Sequence, residues 1–467
     1  MEFRVEHDLL GERHVPEDAY YGIHTLRAME NFPITGRPIH KKLVMALVTV
    51  KKAAALANLE LKFLPERIGQ AIVAACDDIL AGNLLDQFVV DSIQGGAGTS
   101  SNMNANEVIA NRAIEILGGK KGDYSIVHPI NHVNLFQSTN DVYPTALRIA
   151  SIWLLKPLSE NMARLQDALQ QKENEFCDVI KVGRTQLQDA VPIMLGQEFG
   201  AYAQAVARDR WRLYKVQERL RQVNIGGTAV GTGLNADRRY IYLVTEKLQD
   251  LTGLGLARAE YLMDPTQNAD VFVEVSGLLK SAAVNLSKIA NDLRLLSSGP
   301  RAGFMEINLP AMQAGSSIMP GKVNPIIPEV VNLTAFQVMA NDVAITLAAQ
   351  AGQLELNAML PLIARNLLES LEIMDNAVKT FIDRCISGIT ANRQRCRQLL
   401  EESFSTLTAL TPYIGYDAAT AVAQKVLAEK KSVRQAVLEM GLMDESALDS
   451  VLNPYELTKP SKFEVQS

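Results

Sequence analysis

Cysteine, histidine and aromatic side chains are scarce in this chain, and each scarcity excludes something. The four cysteines, Cys76, Cys177, Cys385 and Cys396, include no CxxC pair, and no His lies near them at metal-ligand spacing. Neither a disulfide framework nor a thiolate metal cluster is expected, and the reading is buried thiols in a reducing compartment. Aromatics make up only 6% of the residues while Ala and Leu are abundant, which favours a helix-rich interior over a β-sandwich. Lys and Arg number 46 against 52 Asp and Glu, a formal net charge of −6. No basic surplus exists to neutralise a phosphate backbone, so nucleic acid is not expected as a partner. No run of about 18 apolar residues stands out, so no membrane span is expected. The N-terminal stretch lacks a basic start followed by an apolar core, so a signal peptide is not expected and the predicted location is the cytoplasm.

What is present is a well-cored chain of 467 residues, 48% apolar and 21% charged, long enough for about three domains by the usual size prior. From Lys41 onward the texture is helical. Segments 41–58, 66–83, 141–175, 193–222, 326–350 and 361–386 all carry helix formers or apolar residues at helical spacing. The clearest is 271–296, with apolar residues at Val271, Val275, Leu278, Ala282, Leu286, Ile289, Leu293 and Leu296. Helices that long predict a mainly α protein with a central bundle of rods. Segment 326–350 is apolar nearly all round, as a helix at the centre of a large protein or at a subunit interface is. Small polar residues at Ser101–Asn104 predict an N-cap there. Near the C-terminus, Ser432 with Gln435 reads as a capping box, Asp444 as an N-cap, and Asn453–Pro454 as a helix end. The last dozen residues read as loose. The expected divisions are 1–138, 139–390 and 391–467.

Four clusters of small hydroxyl and amide residues interrupt the rods: GGAGTSSN (95–102), QSTND (137–141), GRTQLQD (183–189) and GSSIMPGKVNP (315–325). Each alone reads as capping and turn chemistry. Together they stand out, because a site in a protein of rods must use the rods' interruptions. GGAGTSS lacks the Lys of a P-loop and GTAVGTG (227–233) lacks its GK[ST] ending, so phosphate cradling is not expected; the latter glycines read as a turn or a close backbone approach. Lys322, entering a helical interior, needs an anion: from spacing alone either a carboxylate ligand or an ion pair with Glu329 satisfies it.

GSSIMPGKVNP resembles the signature of the fumarase/aspartase superfamily, whose members eliminate a group β to a carboxylate and release fumarate. The other three clusters, the opening DLLGERHVPEDAYYGIHTLRAMENF, the Gly299–Arg301 turn with Glu306, and GQLELN at 352–357 match in the same order, from about Glu6 to Lys459. Thr139, the AVP at 190–192 and the terminal LNPYELTKP are most similar to the ammonia-releasing branch. The resemblance implies a three-domain, mainly α fold assembling into a tetramer whose sites are shared between subunits, and a small dicarboxylate substrate, L-aspartate converted reversibly to fumarate and ammonia. Fumarate hydration, or a structural protein without activity, are the alternatives.

Carried over residue by residue, the resemblance implies Ser316 as the base. Thr99, Ser138, Thr139 and Ser317 become donors to the carboxylate that stabilises the carbanion. Lys322 and Asn324 become anchors of the other carboxylate with Thr185 assisting, and Asn140 a contact to the leaving amine. Many relatives carry His where Gln186 stands; Gln186 can hydrogen-bond substrate but cannot shuttle a proton. All six His lie at or before residue 132, so Ser316 must act as an alkoxide stabilised by positive charge and N–H groups. His128 and His132 match a region near a second carboxylate site, and read more simply as hydrogen-bonded histidines. No cofactor is required and no metal-ligand cluster is visible; activation by a divalent cation is left open.

Overall fold

A computed structural model describes residues 2–460. The architecture is mainly α, as the residue texture predicts. A hairpin of β1 (Phe3–Asp8) and β2 (Gly11–Pro16) opens the chain, followed by α1 (Ile23–Asn31), α2 (Lys41–Glu60), α3 (Glu66–Leu80) and α4 (Thr99–Ile116). The rods are α5 (Thr139–Glu175), α6 (Leu195–Leu220), α9 (Asp270–Leu296), α10 (Ile326–Gln350) and α11 (Leu360–Arg384). Between α5 and α6 lies a hairpin of β3 (Ile180–Thr185) and β4 (Gln188–Met194); α7 (Arg238–Thr252) and the single turn α8 (Asp264–Gln267) precede α9. After α11 come short helices: α12 (Arg393–Glu402), α13 (Leu407–Ile414), α14 (Tyr416–Glu429), α15 (Val433–Glu439), α16 (Glu445–Val451) and α17 (Pro454–Leu457).

Compactness divides the chain into two discontinuous units. The first comprises Met1–Glu160, Arg210–Ala283 and Ala335–Asp375; the second comprises Asn161–Asp209, Val284–Thr334 and Asn376–Ser467. The α9 stripe is buried as spaced, except that Leu279 is fully buried where Leu278 was expected. The C-terminal helices close their own small core around Leu410, Val422, Val437 and Leu448. The Ser432–Gln435 capping box forms reciprocally, and Asp444 caps α16 through the Ala447 N–H at 2.8 Å. Asn453 does more than end α16: it accepts from Tyr455 N at 3.0 Å and starts α17, so residues expected to be loose up to Leu457 are helical. The remainder of that tail, 461–467, lies outside the described residues.

Three expectations need correction. First, α4 starts at Thr99, two residues before the predicted caps, with Gly98 at its N-cap and no side-chain cap. Gly96, Ala97 and Gly98 all have positive φ (89°, 58° and 92°), which turns the chain into the helix early. Ser101 is then inside the helix, bonded to Gln94 Oε1 through both its N–H (3.1 Å) and its hydroxyl (3.0 Å). Second, Cys177 is exposed, unlike buried Cys76, Cys385 and Cys396. Third, α10 is long and apolar enough, by length and composition, to cross a membrane. Scattered polar residues break its apolar run without lowering its average enough. Those residues are bonded to other helices: Asn332 to Ser287, Asn341 to Ser370, and Asp342 to Ser276 and Lys280. The opposite side of α10 leaves Val330, Leu333, Phe336, Val343 and Leu347 each more than 40% exposed.

Candidate active site

The first unit holds the hydroxyl cluster. Gly98 touches the ring of Tyr143, and a Cβ there would fall 2.4 Å from it. Only glycine lets the start of α4 approach the Tyr143 ring of α5 this closely, and Thr99, exposed in the first turn of α4, directly follows that contact. Ser138 and Asn140 are half-buried and Thr139 is buried. Ser138 Oγ accepts from Asn140 N at 3.2 Å, and Asn140 Nδ2 donates to Ala229 O at 2.8 Å. Asn224 Nδ2 donates to Asn140 O at 3.0 Å.

Asp141 ties this cluster together. Its Oδ1 accepts from Ser138 N, and its Oδ2 from Gly226 N and Thr228 N, each at 3.0 Å. The turn at 224–229, which runs into the 227–233 glycines, therefore grips QSTND. Burial pushes the Asp141 carboxyl up to about 7, against the pull of those three N–H groups and of Lys51. The donors favour the anion, since a protonated carboxyl would turn a hydrogen toward one of them. Lys51 is itself buried and pushed down to about 7 by desolvation; it donates to Asn134 Oδ1 at 2.7 Å and Gln137 Oε1 at 2.9 Å. Sequence reasoning assigned no role to Asp141 or Lys51. Lys51 was legible in one respect: it falls on the buried face of α2, in step with Val44, Leu47, Val48 and Ala55.

The second unit holds the hairpin and the loop. Thr185 and Gln186 are exposed at the β3–β4 tip, where Gln186 and Leu187 both adopt left-handed φ (52° and 62°). A two-residue turn of this kind normally takes Asn-Gly, so two larger residues here store strain of the sort found at functional sites. The hairpin's base is pinned. Fully buried Glu306 accepts from Arg184 with both oxygens at 3.0 Å and lies 3.2 Å from the Lys181 ammonium, which also bonds Glu198 at 3.0 Å. Arg184 further stacks over Phe304, 4.2 Å from its centroid.

The 315–325 loop bonds mostly to itself. Gly315 N donates to Lys322 O, and Asn324 Nδ2 to Gly315 O, both at 2.7 Å, closing its neck. Ser316 Oγ accepts from Ile318 N at 3.2 Å and Met319 N at 3.0 Å. Two N–H dipoles aimed at one hydroxyl oxygen lower the cost of making it an alkoxide. Ser317 and Lys322 are exposed, and among the described residues Lys322 has no ion-pair partner, so the Glu329 alternative is not realised. Lys322, with Met319 and Asn324, lines an open cleft of about 760 Å³ whose other wall is Arg294 and Ser297–Pro300. Thus the structure sets Gly98, next to Thr99, against Tyr143 one turn past Thr139, and gathers Ser316, Ser317, Lys322 and Asn324 on one loop. Thr185 and Gln186 stand on a separate tip, with no hydrogen bond to that loop among the described residues. His128 and His132 are occupied locally: His128 Nδ1 accepts from Ile130 N and Asn131 N, and His132 Nδ1 from His128 N. Burial holds both below the ordinary imidazole range.

The family described as Lyase matches residues 11–340, and the one described as Fumarase C C-terminus matches 407–459. The chain belongs to this lyase family. It is 56% identical over 459 residues to the aspartate ammonia-lyase of Bacillus subtilis (strain 168), covering 98% of this chain and 97% of that protein. It is 48% identical to the Helicobacter pylori (strain 26695) aspartate ammonia-lyase, over 98% of this chain and 99% of the relative. Among solved structures, the cobalt-bound fumarate lyase:delta crystallin of Brucella melitensis matches with TM-score 0.95 and 52% identity, covering 98% of this chain and 100% of that one. The class II fumarase of Schistosoma mansoni matches with TM-score 0.94 but 34% identity, over the same shares. Among the described residues no group of three or more His, Cys, Asp or Glu is placed to hold a metal ion.

Proposed function

We propose that this chain is a carbon–nitrogen lyase that reversibly eliminates ammonia from L-aspartate to give fumarate. The observation that carries the reading is likeness over 98% of the chain to aspartate ammonia-lyases, at 48–56% identity, well above the 34% shared with the class II fumarase.

The reaction begins with removal of a weakly acidic proton from Cβ. Ser316 takes it as an alkoxide, held by the Ile318 and Met319 N–H groups and the charge of Lys322, and becomes a neutral hydroxyl. The electron pair spreads into the β-carboxylate, where Thr99, Ser138, Thr139 and Ser317 donate hydrogen bonds without adding competing charge. Lys322 and Asn324 anchor the α-carboxylate with Thr185 and Gln186, and Asn140 meets the amine. The pair then forms the double bond, the C–N bond breaks, and ammonia leaves. No step calls for a cofactor. For Asn324 to reach substrate, its bond to Gly315 O must open, which fits a loop that rearranges on binding.

Assembly completes the site. The unpartnered apolar stripe of α10 and the division of the donors between two units support a homotetramer in which one site draws on several subunits. Bonding of Asn332, Asn341 and Asp342 within the protein supports α10 packing against other chains rather than lipid. The enzyme is read as cytoplasmic, without nucleic-acid or membrane partners. The test is direct: purified enzyme with L-aspartate or L-malate, following the ultraviolet absorbance of fumarate. Turnover of aspartate supports the reading. Turnover of malate alone makes the chain a hydratase, and turnover of neither makes it a structural relative.

A further inference from the structure

Pro144 lies inside α5, close to its start. A helical proline has no N–H to give to the carbonyl four residues back, and here that carbonyl belongs to Asn140. The missing donor comes from elsewhere in the fold: Asn224 Nδ2 donates to Asn140 O at 3.0 Å. Asn224 is fully buried, and its neighbours let its amide face only one way. Thr266 Oγ1 spends its hydrogen on Leu262 O at 2.8 Å, so it accepts from Asn224 Nδ2 at 2.9 Å. On the other side Thr145 Oγ1 donates to Asn224 Oδ1 at 3.2 Å. One Nδ2 hydrogen is thus committed to Thr266 and the other to Asn140.

The consequence falls on the Asn140 side chain. Its main chain is held by Asn224, and its Nδ2 donates to Ala229 O at 2.8 Å. Both anchors come from one turn, so backbone and carboxamide are fixed together. Asn140 Oδ1 accepts no hydrogen bond among the described residues. A fixed amide oxygen with free lone pairs suits a charged N–H donor best, and L-aspartate brings one where fumarate has none.

We propose that Asn224 is a positioning residue for the amine end of the site: it supplies the hydrogen bond that Pro144 cannot, and so holds Asn140 Oδ1 where ammonia leaves and, in reverse, enters. The inference rests on the reading of the chain as an aspartate ammonia-lyase with Asn140 at the amine. Asn224 acts through Asn140 alone, and the carboxylate donors Thr99, Ser317 and Lys322 make no bond to it.

The test runs the reaction toward aspartate with the assembled enzyme, varying ammonia and fumarate separately. Asn224→Ala should raise KM for ammonia by about tenfold and leave KM for fumarate within about twofold of native; a general loosening of the fold would raise both. Pro144→Ala returns a main-chain N–H to the Asn140 carbonyl. Alone it should change neither constant by more than about twofold, and combined with Asn224→Ala it should bring KM for ammonia back to within about threefold of native. If Asn224→Ala does not assemble, Thr145→Val, which removes the hydroxyl that orients the Asn224 amide, should raise KM for ammonia by about threefold with fumarate unchanged. Equal rises in both constants, no rise for ammonia, or a double variant no better than Asn224→Ala would overturn the inference while the lyase reading stands. A native enzyme that does not aminate fumarate removes that reading, and this inference with it.

Discussion

The QSTND cluster and the GSSIMPGKVNP loop are equally rich in small polar residues, yet the structure treats them oppositely. The first is bolted down: Asp141 alone accepts three backbone N–H groups, and the turn at 224–229 grips Asn140 from both sides. The second is largely exposed and closes on itself through two neck bonds. The difference matches two tasks. Donors that stabilise developing charge must be fixed before the reaction, or they lose their advantage over water. A base that must exclude water and then release product must travel.

The largest effect should come from the exposed loop. Ser316→Ala should lower kcat by about a thousandfold or more with the fold intact; near-normal turnover removes the serine from the base role. Next is the hairpin's foundation. Glu306→Gln leaves Arg184 without its buried countercharge and Lys181 with Glu198 alone, and should cost about 3 kcal/mol of stability in chemical denaturation. An unchanged midpoint would mean that the hairpin does not depend on this network. On the fixed side, protonation of Asp141 as pH falls through about 7 takes away one acceptor interaction and loosens Ser138 and Asn140. kcat/KM should therefore fall toward acid pH, and Asp141→Asn should flatten that limb while lowering its plateau by roughly a hundredfold. A limb that survives in the variant belongs to another group. Lys322→Met should raise KM about tenfold or more, because it removes one charged contact to a carboxylate. Smallest is Leu187→Gly at the left-handed turn, which should gain about 1 kcal/mol by relieving backbone strain and leave kcat unchanged. Lost stability there would show that the Leu187 side chain packs in the assembly.

Much of this was legible beforehand. The rods appear within two or three residues of their predicted bounds, because helix formers and apolar spacing persist through many turns and local and tertiary preferences agree. The four interruptions were visible as clusters for the same reason: they break that agreement. What escaped were features set by contacts distant in sequence. The early start of α4 follows from three positive φ angles and the Tyr143 ring against Gly98. Asp141 sat inside a recognised motif, but its importance depends on N–H groups more than eighty residues away. Glu306 could be matched as part of a motif, while its grip on Arg184 and Lys181 required the fold. Lys322, by contrast, offered two readings from spacing, and its lack of an ion-pair partner among the described residues removes one.

The central claim is that fixed donors and a moving base on one site come from different subunits. The most direct measurement mixes two inactive enzymes, Ser316→Ala and Ser138→Ala, denatured together and reassembled at equal ratio. If the two serines of a site belong to different chains, about one site in four regains both, and about a quarter of native activity returns. If activity stays at the level of the separate variants while hybrid tetramers are shown by mass spectrometry, both serines act from one chain and the account fails.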